Sequence, residues 1–152
     1  QERGRRPGTE NALGIVGFGA AASLVGLAQA TWLDAARLGA VLEQLLVDRI
    51  PNTCIQGRLA NRVQSTVNAR FEGARGEAIV MALDLEGISV STGAACTSGS
   101  IQPSAVLIGL GFSTEQAREA VRFSLGPTTT EDDLRYVLSV LPAIVERARR
   151  HR

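Results

Sequence analysis

The hydrophobic pattern divides the chain into three regions. From Ala12 to Leu33, 22 residues pass without a charge, which predicts a helix apolar on every face, as in a helix buried among partners. The helical period continues through Asp34–Val47, with Leu38, Leu42 and Leu45 on one side. It stops before Pro51, since proline disfavours helix in the residue ahead of it. Ile50–Asn61 then reads as a loop with a short strand, Thr66–Phe71 as a strand, and Gly76–Glu86 as a short helix closed by Gly87. Ile88–Ser91 alternates as a half-buried strand. A run of small residues, TGAACTSGSIQP, follows. Pro103–Gly109 and Thr114–Ala117 are expected to be short helices. Ala120–Leu125 alternates again, with Val121, Phe123 and Leu125 on one face and Arg122 and Ser124 on the other. Thr130 and Asp133 approximate a capping box for a terminal helix, expected to be interrupted or kinked near Pro142 and to fade into Arg147–Arg152.

The pattern therefore predicts an α/β or α+β layer attached to one long leading helix. Its length of 152 residues suits one sizeable core. Aromatics supply only 4% of it, so Ala, Leu, Val and Ile must fill that core. The uncharged stretch is long enough for a membrane span, but Gly14, Gly17, Gly19, Ser23, Gly26, Gln29 and Thr31 dilute it, and membrane association is not expected. No signal-peptide pattern is present. A net charge of +1 gives no reason to expect nucleic acid.

Every basic side chain other than His151 is an arginine; the sequence has no lysine. It begins at Gln1, and its one methionine is Met81, so it reads as a processed product or a piece of something longer. Two distant cysteines, Cys54 and Cys96, and a lone histidine cannot assemble an intrinsic zinc site. They favour a reducing, cytoplasmic setting.

Three places could carry chemistry. Cys96 sits among Thr92, Gly93, Ala94, Ala95, Thr97, Ser98, Gly99 and Ser100, whereas a packing cysteine normally has bulky apolar neighbours. Such flanks suit a thiol that travels and reacts as thiolate, or a linker that happens to contain cysteine. Cys54, between Thr53 and Ile55, reads as filler in a core. Arg122, facing away from Val121 and Phe123, either clamps a carboxylate with its fork of donors or lies on a solvated face. In the opening loop, Gly4, Gly8 and Thr9 with Arg3, Arg5 and Arg6 could present donors to phosphate, or form a plain linker whose Thr9 caps the next helix.

Several of these segments, taken in order, resemble a known family. Gln1–Asn11 (QERGRRPGTEN) followed by Gly14–Gly19 (GIVGFG) resembles the stretch of cysteine desulfurases that follows their cofactor lysine. Gly76-Glu-Ala, Leu83–Ile88, Ser91–Ser100 (STGAACTSGS), Ser113–Arg118 and Val121–Gly126 (VRFSLG) continue the likeness over nearly the whole chain. The Cys96 loop resembles the longer-loop type that serves nitrogen-fixation and housekeeping iron–sulfur assembly.

The resemblance implies the C-terminal part of a pyridoxal-phosphate enzyme of aminotransferase fold type I, acting as a homodimer. Residues 1–50 would be the end of the cofactor-domain loop and a long connecting helix. Residues 51–152 would be a small C-terminal domain with a short, mainly antiparallel sheet and the catalytic loop at about 91–103. Such an enzyme moves sulfur from L-cysteine to a cysteine persulfide and leaves L-alanine. By that likeness Cys96 is the nucleophile, Arg122 binds the substrate carboxylate, and Thr9 reaches the phosphate of the partner subunit's cofactor. Cys96 would also be the thiol that shares a transient cluster with an iron–sulfur scaffold or hands sulfur to another acceptor protein. About six residues on either side of Cys96 could span roughly 20 Å when extended.

The sequence also departs from the family. The cofactor's aldehyde needs a primary amine, and arginine stays protonated, so this chain alone is expected to be inactive. Pro127-Thr128 stand where the family continues with Arg and an aromatic. Arg62–Thr66 lacks the usual Pro-Asn pairing, and Gly19–Leu33 lacks the family's charged positions. Two other functions are consistent with the chain: a non-catalytic remnant that binds a sulfur-acceptor partner, or a different class V aminotransferase in which Cys96 is incidental.

Overall fold

A computed structural model describes residues 8–93 and 102–150. Among them are helices α1 (Ala12–Ser23), α2 (Val25–Arg49), α3 (Gly76–Leu85), α4 (Ala105–Gly109), α5 (Thr114–Arg118) and α6 (Glu131–Arg150). Strands are β1 (Thr53–Ile55), β2 (Thr66–Phe71) and β3 (Ala120–Ser124). The strands form one antiparallel sheet in the order β1-β2-β3.

Side-chain alternation decides which face of that sheet is covered. Val67, Ala69 and Phe71 of β2 and Val121 and Phe123 of β3 point to one side and are buried. There they meet Leu38, Leu42, Leu46 and Ile50 from the α2 end, Ile79 and Leu83 of α3, and Leu138, Leu141 and Val145 of α6 in a single core. The second half of α2 thus shares its interior with the sheet and α6. Close approach of α2 to the loop ahead of β2 requires a glycine: a Cβ on Gly39 would stand 2.1 Å from the Gln64 carbonyl oxygen. Leu107, Ala117 and Ala120 form a smaller cluster with Phe112, through which α4 and α5 cover part of the opposite face.

The leading helix differs from the sequence expectation. The 12 residues of α1 include no buried position, and Leu13, Val16 and Phe18 are largely exposed. The helical run breaks at Leu24. Among the described residues, no single helix is long and apolar enough to cross a membrane. Asn11, rather than Thr9, caps α1, its side chain accepting from the Gly14 amide at 3.0 Å.

Two further expectations are corrected. Ile88–Val90 forms no strand; only Ser91 bridges to Arg122, because Gly93, at φ +77°, turns the chain out of the sheet. And α6 is not interrupted at Pro142 but runs as one element through it. Burial of Leu138, Leu141, Ile144 and Val145 around the proline offsets the hydrogen bond it removes.

The start of α6 is the capping box expected from Thr130 and Asp133. The Thr130 amide donates to Asp133 Oδ2 at 2.8 Å, and the Asp133 amide donates to Thr130 Oγ1 at 3.2 Å. Hydrogen bonds from the Thr130 backbone and then its hydroxyl hold the Asp133 carboxyl below its ordinary range. A carboxyl whose folded pKa is depressed stabilises the fold above its unfolded value, and that contribution disappears as pH falls through the folded value. Chemical denaturation of the protein should therefore show stability declining below about pH 4, and Asp133→Asn should flatten that decline while lowering stability at neutral pH.

Candidate functional site

On the face of the sheet away from the core, alternation leaves Asn68 and Arg70 of β2 and Arg122 of β3. Asn68 and Arg122 are partners in register. Arg70 donates from Nε to Glu119 at 2.8 Å, and Glu119 also accepts from the Gly73 amide at 2.9 Å, so that pair is committed to structure. Arg122 is different. Its backbone pairs with Ser91, whose carbonyl accepts from the Arg122 amide at 2.7 Å. Its Nη1 donates to the Gly93 carbonyl at 3.3 Å. Its Nε is sealed from solvent without a partner, as is Asn68 Oδ1.

These two residues floor a groove of about 390 Å³. Gln56, Gly57, Ala60 and Arg62 form one wall; Gly93, Ser104 and the apolar Val106, Leu107 and Leu110 form the other. Arg62 is held away from any ligand role by an ion pair with Glu43. It also donates to the carbonyls of Thr66 at 2.7 Å, Gly57 at 3.2 Å and Val63 at 3.3 Å. Arg62 therefore ties the 57–66 loop to α2 and fixes one side of the groove. Arg122 is left as the cation with donors to offer in an otherwise apolar recess. Its planar fork suits a carboxylate there.

Cys96 lies outside the described residues. Of the described residues that flank it, Gly93 just before and Ser104 shortly after both line the groove, and a Cβ on Gly93 would come within 3.1 Å of Ser104 Cβ. The chain thus leaves for Cys96 and returns from it at the groove, beside Arg122. Thr9 is exposed ahead of α1 and does not line the groove. Cys54 is not core filler. It is exposed, because the three-residue edge strand turns Ile55 inward and Cys54 outward. No group of three or more potential metal ligands occurs among the described residues. Asn68 and the Glu43–Arg62 brace were missed in the sequence, although β2's alternation already put Asn68 on the face opposite Val67 and Ala69.

Comparison with known proteins fits this geometry. The family model for aminotransferase class V matches residues 1–137. The chain belongs to the class V aminotransferase family. Its relatives include a cysteine desulfurase of Nostoc sp., 45% identical over 150 residues, and one of Klebsiella pneumoniae, 42% identical over 149. Each alignment covers 98% of this chain and 38% of the relative. The chain thus spans well under half the length of these curated relatives, matching their C-terminal portion. Among solved structures, a NifS-like protein from Rickettsia africae superposes with a TM-score of 0.80 at 28% identity, over 96% of this chain and 38% of the other. The Escherichia coli cysteine desulfurase CsdA shares the fold, at a TM-score of 0.70, 20% identity, and coverage of 94% and 33%.

Class V aminotransferases depend on pyridoxal phosphate. The donor set of this chain does not fit covalent attachment of that group: it offers sixteen arginines and no lysine, and a guanidinium does not lose the proton that attack on an aldehyde requires. What the described residues offer instead is the groove, where the Arg122 fork lies beside Gly93 and Ser104, which flank the Cys96 segment.

The Glu43–Arg62 brace gives a direct test of how the groove wall is held. Glu43 is 6% exposed and Arg62 is half-buried, so Glu43→Ala leaves the guanidinium without its counter-charge and should cost about 2 kcal/mol in urea denaturation. Glu43→Gln, which keeps an acceptor, should cost less.

Proposed function

We propose that this chain provides the substrate-carboxylate and sulfur-accepting half of a cysteine desulfurase, working with a cofactor-bearing portion that supplies the lysine. The observation that carries this is the placement of Arg122 on the floor of an apolar groove whose rim holds both ends of the Cys96 segment. Arg122 binds the carboxylate of L-cysteine. Its own contact with the Gly93 carbonyl links the bound substrate to the stem of the thiol segment.

In the complete enzyme, pyridoxal phosphate held on a lysine outside this chain would supply the electron sink for the substrate. This chain's part is to present the Cys96 thiolate to the substrate sulfur. An S–S bond forms as the carbon–sulfur bond breaks, the carbon gains a proton, and the products are L-alanine and a Cys96 persulfide. The apolar side chains of Val106, Leu107 and Leu110 beside Arg122 lower the local polarity and strengthen the Arg122–carboxylate contact.

Similarity to cysteine desulfurases supports the wider assignments. Thr9 reaches the phosphate of the cofactor in a homodimer's partner subunit. The persulfide is delivered to an iron–sulfur scaffold or another sulfur-acceptor protein, to which Cys96 also lends its thiol for a transient shared cluster. The setting is cytoplasmic.

In the complete enzyme, Cys96→Ser should abolish persulfide while leaving cofactor absorbance intact. Arg122→Ala should raise the KM for L-cysteine roughly ten- to a hundredfold, the worth of a charged hydrogen bond. Persulfide formed by the Cys96→Ser protein, or an unchanged KM in the Arg122→Ala protein, overturns the corresponding role. The chain by itself, given L-cysteine and pyridoxal phosphate, should release no alanine.

A further inference from the structure

The sheet's outer face contains two buried polar atoms of opposite hydrogen-bonding sense, both without partners: the Nε of Arg122, a donor, and the Oδ1 of Asn68, an acceptor. They belong to residues paired in register on adjacent strands, and both residues line the same groove. A buried polar group left unsatisfied is costly, more so when it is charged. Neither atom is open to solvent, so a molecule entering the groove meets the Nη edge of the guanidinium and not these two. Arg62, the other cation lining the groove, is already committed to Glu43 and to three backbone carbonyls, and is no donor for Asn68.

A hydrogen bond between these two register partners would satisfy the donor and the acceptor together. We propose that Asn68 is a positioning residue for Arg122, its Oδ1 accepting from Nε and so fixing the plane of the guanidinium with the Nη edge turned to the substrate. With Nη1 held by the Gly93 carbonyl, this second tether on a different atom stops the fork from swinging about the side-chain axis. A fork held in one plane binds a carboxylate at less entropic cost than a free one. The inference deepens the carboxylate-binding role given to Arg122 above and depends on it for its functional consequence.

Nitrogen–proton spectra of the whole chain test the contact itself, with Arg122→Lys identifying the Arg122 Nε–H signal. That proton should exchange with water at least about tenfold more slowly than the Nε–H of exposed Arg58, and Asn68→Ala should erase the protection. Protection that survives Asn68→Ala overturns the proposal. If Asn68→Ala does not fold, Asn68→Asp decides, because it keeps an acceptor oxygen: retained protection supports the contact and lost protection overturns it. In the complete enzyme, Asn68→Ala should raise the KM for L-cysteine about tenfold with kcat little changed, and Asn68→Asp should recover most of the loss. Lost protection with an unchanged KM reduces the pair to a fold contact and overturns the positioning role. An unchanged KM in Arg122→Ala, by contrast, removes the carboxylate role itself, while the exchange measurement still judges Asn68.

Discussion

Alternation along β2 and β3 does two jobs with one backbone. The residues that must enter the core, Val67, Ala69 and Phe71 on one strand and Val121 and Phe123 on the next, fix the register of the pair. Slipping either strand by one residue would put every one of them on the wrong face. The same register sets Asn68 opposite Arg122 on the outer face. Core burial thus pays for the geometry of the groove, and Arg122 cannot be displaced without disturbing the interior beneath it.

The walls of the groove are held by different means. On one side the brace is electrostatic, with Glu43 of α2 pairing with Arg62, which in turn gathers the carbonyls of the loop ahead of β2. The missing side chain of Gly39 lets α2 approach that loop. On the other side the wall is apolar, built by α4 packing through Leu107 on Ala117 and Ala120. Gly93 and Ser104, which flank the segment carrying Cys96, both line the groove.

The leading helix follows a different logic. Its surface is apolar on all sides and uncovered, whereas α2 begins to bury residues at Ala35. The hydrophobic effect acts on α1 as strongly as on any core helix, but among the described residues nothing buries its apolar side chains.

Much of the fold was written in the order of residues. Helical period over Asp34–Val47, strand alternation at 66–71 and 120–125, and the Thr130–Asp133 cap are local patterns, and each formed where its residues lay. The ordered small-residue and arginine motifs were sufficient to point to the cysteine desulfurases, and the absence of lysine needed no coordinates at all. What required tertiary structure was everything that depends on distant neighbours. Pro142 stays within α6 because the helix is buried on both sides of it. Ile88–Val90 fails to become a strand because Gly93 turns the chain away after one bridge. Cys54 is exposed because β1 is an edge. Above all, the sequence put Arg122 on the face opposite the core but left open whether it met solvent or a ligand. What surrounds it is set by residues between 12 and 66 positions away, which wall the groove and bring Asn68 and Gly93 to it, and no local pattern encodes contacts at the larger of those separations.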